Sequence, residues 1–203
     1  MTAQRTKPKH KLKWYKSKQF YQVLVFMLFV MFIGSVAYFQ SVVTEDKAQL
    51  SQLKQSNRNT LKLAAYIQYK NPKVWPSLAT EIATGIVTAA SQHKVPLDIL
   101  VGLVEHESGF NVFAVSKTNA AGLAQVDFDA WKEEFKVSNK YEPSVNVQCG
   151  AWILAKHIHE VKLKKGLQIY NSGIGNYRKG VISKDYVSKV YEYASEYRYY
   201  QAI

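Results

Sequence analysis

Apolar and polar positions alternate in three different ways along the 203-residue chain. From Val23 to Phe39 the run VLVFMLFVMFIGSVAYF carries no charge, and no charged residue occurs between Lys18 and Glu45. With Phe20, Tyr21 and the Ser-Val-Val at 41–43 the run approaches the ~20 residues a helix needs to cross a bilayer. It lacks the polar face that a core helix of this length would show. The pattern therefore predicts a transmembrane anchor over 20–43. Residues 44–75 then become polar, with Leu50, Leu53, Leu61, Ala64 and Ile67 at roughly helical spacing. They read as a helical stalk whose apolar repeat is too brief for a coiled coil. The segment NPKVWPS at 71–77 punctuates the chain with two prolines and sets the expected start of the folded domain at 76, running to 203.

Within 76–203 the apolar period is that of helices. One is predicted over SLATEIATGIVTAASQH, with Leu78, Ile82 and Ile86 on one face. A second, VPLDILVGLVEHES, is opened by Pro96 and ended by Gly109. FDAWKEEFKV, NVQCGAWILAKHIHEVKL and KDYVSKVYEYASEYRYYQ predict three more. No segment alternates as a strand would, apart from an irregular or hairpin stretch expected between 111 and 127. The fold class is all-α: a globular helical domain behind one N-terminal transmembrane helix.

The net charge of +12 alters this picture less than its size suggests. Seven basic residues (Arg5, Lys7, Lys9, Lys11, Lys13, Lys16 and Lys18) and no acidic one precede residue 44, which leaves +5 for the remainder. The charge thus marks a basic tail, residues 1–19, rather than a nucleic-acid footprint, and no nucleic-acid partner is expected. A mildly basic remainder suits a polyanionic wall polymer. By the positive-inside rule the tail stays cytoplasmic and everything after 44 is exported, with Trp14, Tyr15, Tyr21 and Tyr38 as interfacial aromatics. The expected location is the inner membrane, single-pass, with a periplasmic domain. The competing reading is a signal peptide cut after Ser-Val-Ala at 35–37. The lone Cys149 permits no internal disulfide and sits among apolar neighbours, as a buried thiol would. His157 and His159 are two apart on a helix and diverge, so no metal and no cofactor is expected.

The stretch DILVGLVEHESGFN, 98–111, carries the candidate chemistry. At ~100° per residue Glu107 falls within about 40° of Leu100 and Leu103, and Glu105 lies about 200° away. Glu107 is therefore expected on the inward stripe and Glu105 in solvent. Burial raises a carboxyl's pKa and keeps it protonated, as a general acid requires. A buried structural glutamate bonded to a loop amide satisfies the same helix pattern equally well.

The following segments resemble the soluble lytic transglycosylase (SLT) domain family, of the lysozyme-like superfamily. The blocks are Glu107-Ser108-Gly109-Phe110, then Gly122-Leu123-Ala124-Gln125, then the segment from Asn146 to Leu154, then Tyr170-Asn171-Ser172-Gly173, and finally Tyr186 to Val190. They stand in order and cover about 82–192. The resemblance implies a lysozyme-like fold (α+β in that superfamily's own terms) with a glycan cleft. It also implies cleavage of the β-1,4 bond between N-acetylmuramic acid and N-acetylglucosamine in peptidoglycan. Glu107 would protonate the leaving oxygen and then take the proton of the muramic 6-hydroxyl, closing a 1,6-anhydro ring without water. Ser108 and Gln125 would line the cleft and bond the sugar or Glu107. Tyr170 would point its hydroxyl at Glu107, Asn171 would brace the loop, and Asn146 would be structural.

Three positions depart from the family pattern. Ala124 replaces a methionine and would flatten the cleft floor. Asn119 replaces a glycine, a cheap exchange where the backbone is left-handed. Asp127 follows Gln125 by two residues, and GLAQVD also resembles goose-type lysozymes, whose aspartate holds an attacking water. Their second acidic position is Ser116 here. Asp127 is thus a possible second carboxylate, or the cap of the FDAWKEEF helix, for which Asp129 serves equally. Three functions follow: a membrane-anchored lytic transglycosylase opening the wall for a secretion, conjugation or phage-entry complex, a hydrolytic muramidase using Glu107 and Asp127, or a non-catalytic glycan-binding scaffold.

Overall fold

The computed structural model describes residues 10–203, with side chains from Lys18 onward. The tail at 1–9, with the side chains of Trp14 and Tyr15, lies outside the described residues. Six helices are present among them: α1 (His10–Lys70), α2 (Pro76–His93), α3 (Leu97–Ser108), α4 (Pro143–Val161), α5 (Leu163–Arg178) and α6 (Tyr186–Ala202). The chain divides into two compact units, one ending at Lys54 and one from Gln55 to Ile203.

In the first unit α1 exposes its apolar side chains all round, from Phe20 to Phe39. By length and composition this helix is apolar enough to cross a membrane, with a mean hydropathy of 2.2 over its most apolar window.

The second unit is built around α3. Ile99, Leu100, Val101, Leu103 and Val104 are all buried, so this helix is enclosed on every side rather than along one stripe. Its limits follow from local chemistry: Pro96 precedes the first turn, and Gly109 ends the helix in the left-handed region at φ 57°, its N–H on the Glu105 carbonyl. Gly102 lets α6 approach to backbone contact, since a Cβ there would stand 2.4 Å from the Val190 carbonyl oxygen. α2 packs on α4, and α4 on α5. α4 is capped by Glu142, whose carboxylate accepts from the backbone N–H of Ser144 and Val145.

Three expectations need correction. Compact packing begins at Gln55 rather than 76, because Leu63, Ala64, Tyr66 and Ile67 of the supposed stalk are core residues. The breaking prolines interrupt the helix without ending the domain. FDAWKEEFKV forms successive turns, not a helix, and packs through an aromatic cluster in which Trp131 and Phe135 meet Trp152 edge-on at 5.7 and 5.3 Å. α5 has no counterpart among the predicted helices: only Gly166, Leu167 and Ile169 of it are buried, and the helix breaks at Gly173, φ 73°. The irregular stretch at 111–127 holds two isolated antiparallel bridges, Val115 to Ala121 and Ala121 to Val126. Asn119 does take the left-handed backbone, at φ 66°.

Candidate active site

Glu107 occupies the last turn of α3, half-buried, where the helix core gives way to the Gly109 turn. Its Oε1 accepts a 2.6 Å hydrogen bond from the hydroxyl of Tyr186, the first residue of α6. Burial pushes the Glu107 carboxyl up to about 7, against the opposite pull of the Tyr186 bond. The carboxyl can therefore hold its proton near neutrality and accept it back, as acid–base work requires. Burial and the Glu107 charge together hold the Tyr186 hydroxyl well above its usual range, so Tyr186 stays a donor. The His106 ring packs edge-on against Tyr186 at 5.0 Å, and burial lowers its pKa, favouring the neutral ring.

The loop at 121–126 is held by buried polar groups. Asn146 on α4 is fully buried and satisfies three backbone partners: it accepts from the Ala124 N–H at 2.8 Å and donates to the carbonyls of Ala121 at 2.9 Å and Lys140 at 2.8 Å. Gly122, φ 78°, passes so close that a Cβ would lie 2.2 Å from the Asn146 amide nitrogen. The Gln125 amide nitrogen donates to the carbonyls of Ala114 and Gly122, both at 3.0 Å, and its backbone is left-handed at φ 49°.

The Tyr170 hydroxyl donates to the Ala124 carbonyl at 2.7 Å and lies within electrostatic reach of Glu107, while the hydrogen bond to Glu107 comes from Tyr186. Burial, and then the Glu107 carboxylate, raise the Tyr170 hydroxyl far above its ordinary pKa, so it too stays protonated. Ser108 donates to the Val104 carbonyl one turn back, at 3.0 Å, and not to Glu107. Asn171 is exposed, while Ser172 and Asn176 make the local bonds, to the Gln168 and Ser172 carbonyls. Ala124 is fully buried against Gly150 and forms no open cleft floor. Glu105, expected in solvent, is only 7% exposed. The end of α1 covers it, with the Tyr66 hydroxyl donating to its Oε2 at 2.8 Å.

Asp127 is exposed and caps its own turn: its Oδ1 accepts from the N–H of Asp129 at 3.1 Å and Ala130 at 3.0 Å. Ser116 likewise caps a turn, accepting from the N–H of Thr118 and Ala120. Cys149 is a buried free thiol, pushed up to about 11 by burial. Among the described residues no three metal-ligating side chains converge.

Tyr186 is the participant that sequence reasoning missed. Its position in the block from Tyr186 to Val190 was visible, but that it reaches Glu107 from 79 residues away was not.

The family model of the transglycosylase SLT domain matches residues 85–190, just over half of the chain. The chain belongs to the transglycosylase SLT domain family. A transglycosylase of Enterobacteria phage PRD1 is 28% identical over 106 residues, 52% of this chain and 40% of that protein. The membrane-bound lytic murein transglycosylase C of Haemophilus influenzae is 31% identical over 106 residues, 43% of this chain and 30% of that protein. The chain thus aligns with less than half the length of these relatives. Two solved structures share the fold. An inactive mutant of lytic transglycosylase Slt from Pseudomonas aeruginosa superposes with a TM-score of 0.50 at 17% identity, covering 66% of this chain and 29% of that one. The 70-kDa soluble lytic transglycosylase in complex with bulgecin A gives 0.51 at 19%, covering 70% and 30%. The SLT match encloses Glu107, the Asn146-braced loop and Tyr186; it excludes the end of α1 that covers Glu105.

Proposed function

We propose that the chain is a membrane-anchored lytic transglycosylase of peptidoglycan, with Glu107 as its single acid–base group. The observation that carries this reading is one desolvated carboxyl poised near neutrality and oriented by Tyr186, in a chain of the SLT family. Glu107 gives its proton to the glycosidic oxygen as the bond from muramic C1 to that oxygen breaks. The resulting carboxylate then removes the proton from the muramic 6-hydroxyl as the C1–O6 bond forms. The proton count closes on one carboxyl, and water is not consumed.

In this reading Tyr170 and Asn146 hold the loop at 121–126 beside Glu107. Gln125 turns its carbonyl oxygen to a sugar hydroxyl, since its amide nitrogen is committed to the loop. Ser108 and the exposed Asn171 border the glycan. Residues 20–43 anchor the protein in the inner membrane, with the basic tail in the cytoplasm and the SLT domain in the periplasm. A small wall-cleaving domain on a membrane anchor suits local opening of the wall for a secretion, conjugation or phage-entry complex, by analogy of architecture.

A hydrolytic route through Asp127 finds no support in its geometry, because that carboxylate is exposed and engaged as a cap. Asparagine caps as well as aspartate does, so Asp127→Asn removes the charge and keeps the turn. Cleavage of sacculi by this variant is expected within about twofold of wild type with the same products, against the ~100-fold or larger loss that removing a general base brings. A large loss, or a change in products, would favour the muramidase.

A further inference from the structure

The turn of α3 that presents Glu107 is gripped from outside the SLT match. Lys70, the last residue of α1, places Nζ 2.8 Å from Glu105 Oε1 and 2.5 Å from a Glu196 carboxylate oxygen on α6. Tyr66, one turn earlier, donates to the other Glu105 oxygen at 2.8 Å. Asn71, the next residue, donates its amide to the Gly109 carbonyl at 2.9 Å. Glu105 and Gly109 stand two residues before and two after Glu107, so these contacts bracket it.

A second line of contacts joins the same lysine to Glu107 through α6. Lys70 Nζ lies 5.3 Å from the centre of the Tyr193 ring, and Tyr193 lies 6.1 Å from His106. His106 packs edge-on against Tyr186 at 5.0 Å, whose hydroxyl holds Glu107 at 2.6 Å. Both lines begin on the helix that also carries the apolar segment.

We propose that Tyr66, Lys70 and Asn71 are positioning residues for Glu107, forming a clamp from the end of α1 on the catalytic turn of α3. The proposal rests on the reading of Glu107 as the acid. Its physical basis is that a helix's last turn is the part most prone to open, and Glu107 sits in that turn beside a left-handed glycine. Burial raises the Glu105 carboxyl above its ordinary range, while Lys70 and Tyr66 favour its charged form. A buried ion pair of this kind is weak evidence for net stability, and specifying one arrangement is the role it fits. Misplacing a reacting group by about 1 Å costs up to ~100-fold in rate. The groups around the two carboxylates are Tyr186 on α6 and Tyr170 on α5 for Glu107, and Tyr66 and Lys70 on α1 with Glu196 on α6 for Glu105.

The test uses the full chain in detergent micelles. Two variants each break one arm of the clamp without leaving a buried charge unpaired: Asn71→Ala, which removes the bond to Gly109, and the double variant Lys70→Met with Glu105→Gln, which removes the ion pair. Lys70→Arg is the conservative control. Glu107 is titrated directly by carbon-13 NMR, and kcat and KM are measured on glycan chains. In the two clamp variants kcat is expected to fall about tenfold with KM within about twofold, and the Glu107 midpoint to move down from about 7 as water reaches the carboxyl. Lys70→Arg is expected to keep both values. Folded variants with an unmoved midpoint and unchanged kcat would overturn the clamp, as would a loss of activity that merely follows the unfolded fraction. Should the wild type release no Glu107-dependent product, the proposed function fails, and the titration alone decides the clamp.

Discussion

Replacing Glu107 with glutamine is expected to abolish wall cleavage and, at alkaline pH, to stabilise the protein. Glutamine keeps the size of the side chain and can still accept from Tyr186, but it has no proton to give. General acid–base catalysis contributes roughly 100- to 10,000-fold, so activity should fall by at least the lower figure. The stability effect follows from the raised pKa. Glu107 stands at about 7 in the folded protein against an ordinary 4.5. The folded state therefore binds the proton more tightly than the unfolded chain does. This advantage is complete below pH 4.5 and is lost as the pH rises through about 7. Each tenfold difference in proton affinity corresponds to ~1.4 kcal/mol, so the ionised side chain costs about 3 kcal/mol at pH 8. Denaturant melts of wild type and Glu107→Gln should therefore agree at about pH 4 and separate by about 3 kcal/mol at about pH 8, with the inactive variant the more stable. Wild-type kcat/KM should decline above pH ~7, as the free enzyme loses the acid form. Equal stabilities at both pH values would mean that Glu107 is not desolvated.

The second large effect is expected at Gly102, where α3 and α6 meet. A Cβ there would meet the Val190 carbonyl oxygen at 2.4 Å and the Ala194 nitrogen at 2.8 Å. Both are backbone atoms of α6, so relief requires the helices to separate. Overpacking of a core costs ~1–3 kcal/mol where side chains can yield, and more where they cannot. Gly102→Ala should therefore destabilise by about 3 kcal/mol despite the ~1 kcal/mol that alanine gains in helix propensity. For a unit of this size that is a drop of about 10 °C in Tm. Separation would also draw Tyr186 away from Glu107, so kcat should fall in the fraction that remains folded. A thermal melt within a few degrees of wild type would show that α3 and α6 can part at this contact with little loss.

How far the sequence could be read depended on whether a residue's surroundings were local. The stripe through Leu100, Leu103 and Glu107 predicted the inward carboxyl, and Pro96 and Gly109 predicted the limits of its helix. The same stripe misplaced Glu105. A single buried face leaves that residue in solvent, whereas α3 is enclosed on all sides and the covering residues, Tyr66 and Lys70, come from 39 and 35 positions earlier. The break at Asn71-Pro72 hid this, because a helix can end at a proline while its last turns still belong to the core that follows. α5 escaped because few of its residues are buried. The turns at 128–135 read as a helix because Phe128, Trp131 and Phe135 have helical spacing, although they serve an aromatic cluster with Trp152. At the site, Asn146 and Asn119 were legible from motif and backbone chemistry alone. That Tyr186 supplies the hydrogen bond to Glu107 was not, since it depends on how α6 approaches α3.

Whether Glu107 works as a lone acid–base group is decided by digesting purified peptidoglycan sacculi with the full chain. Glu107→Gln serves as the control, and the products are read by mass spectrometry. The expected products are Glu107-dependent fragments lighter by one water than hydrolysis would give, with 1,6-anhydro ends that resist borohydride reduction. Reducible ends would refute the single-carboxyl mechanism, because a water would then have been activated by a group that this mechanism does not contain.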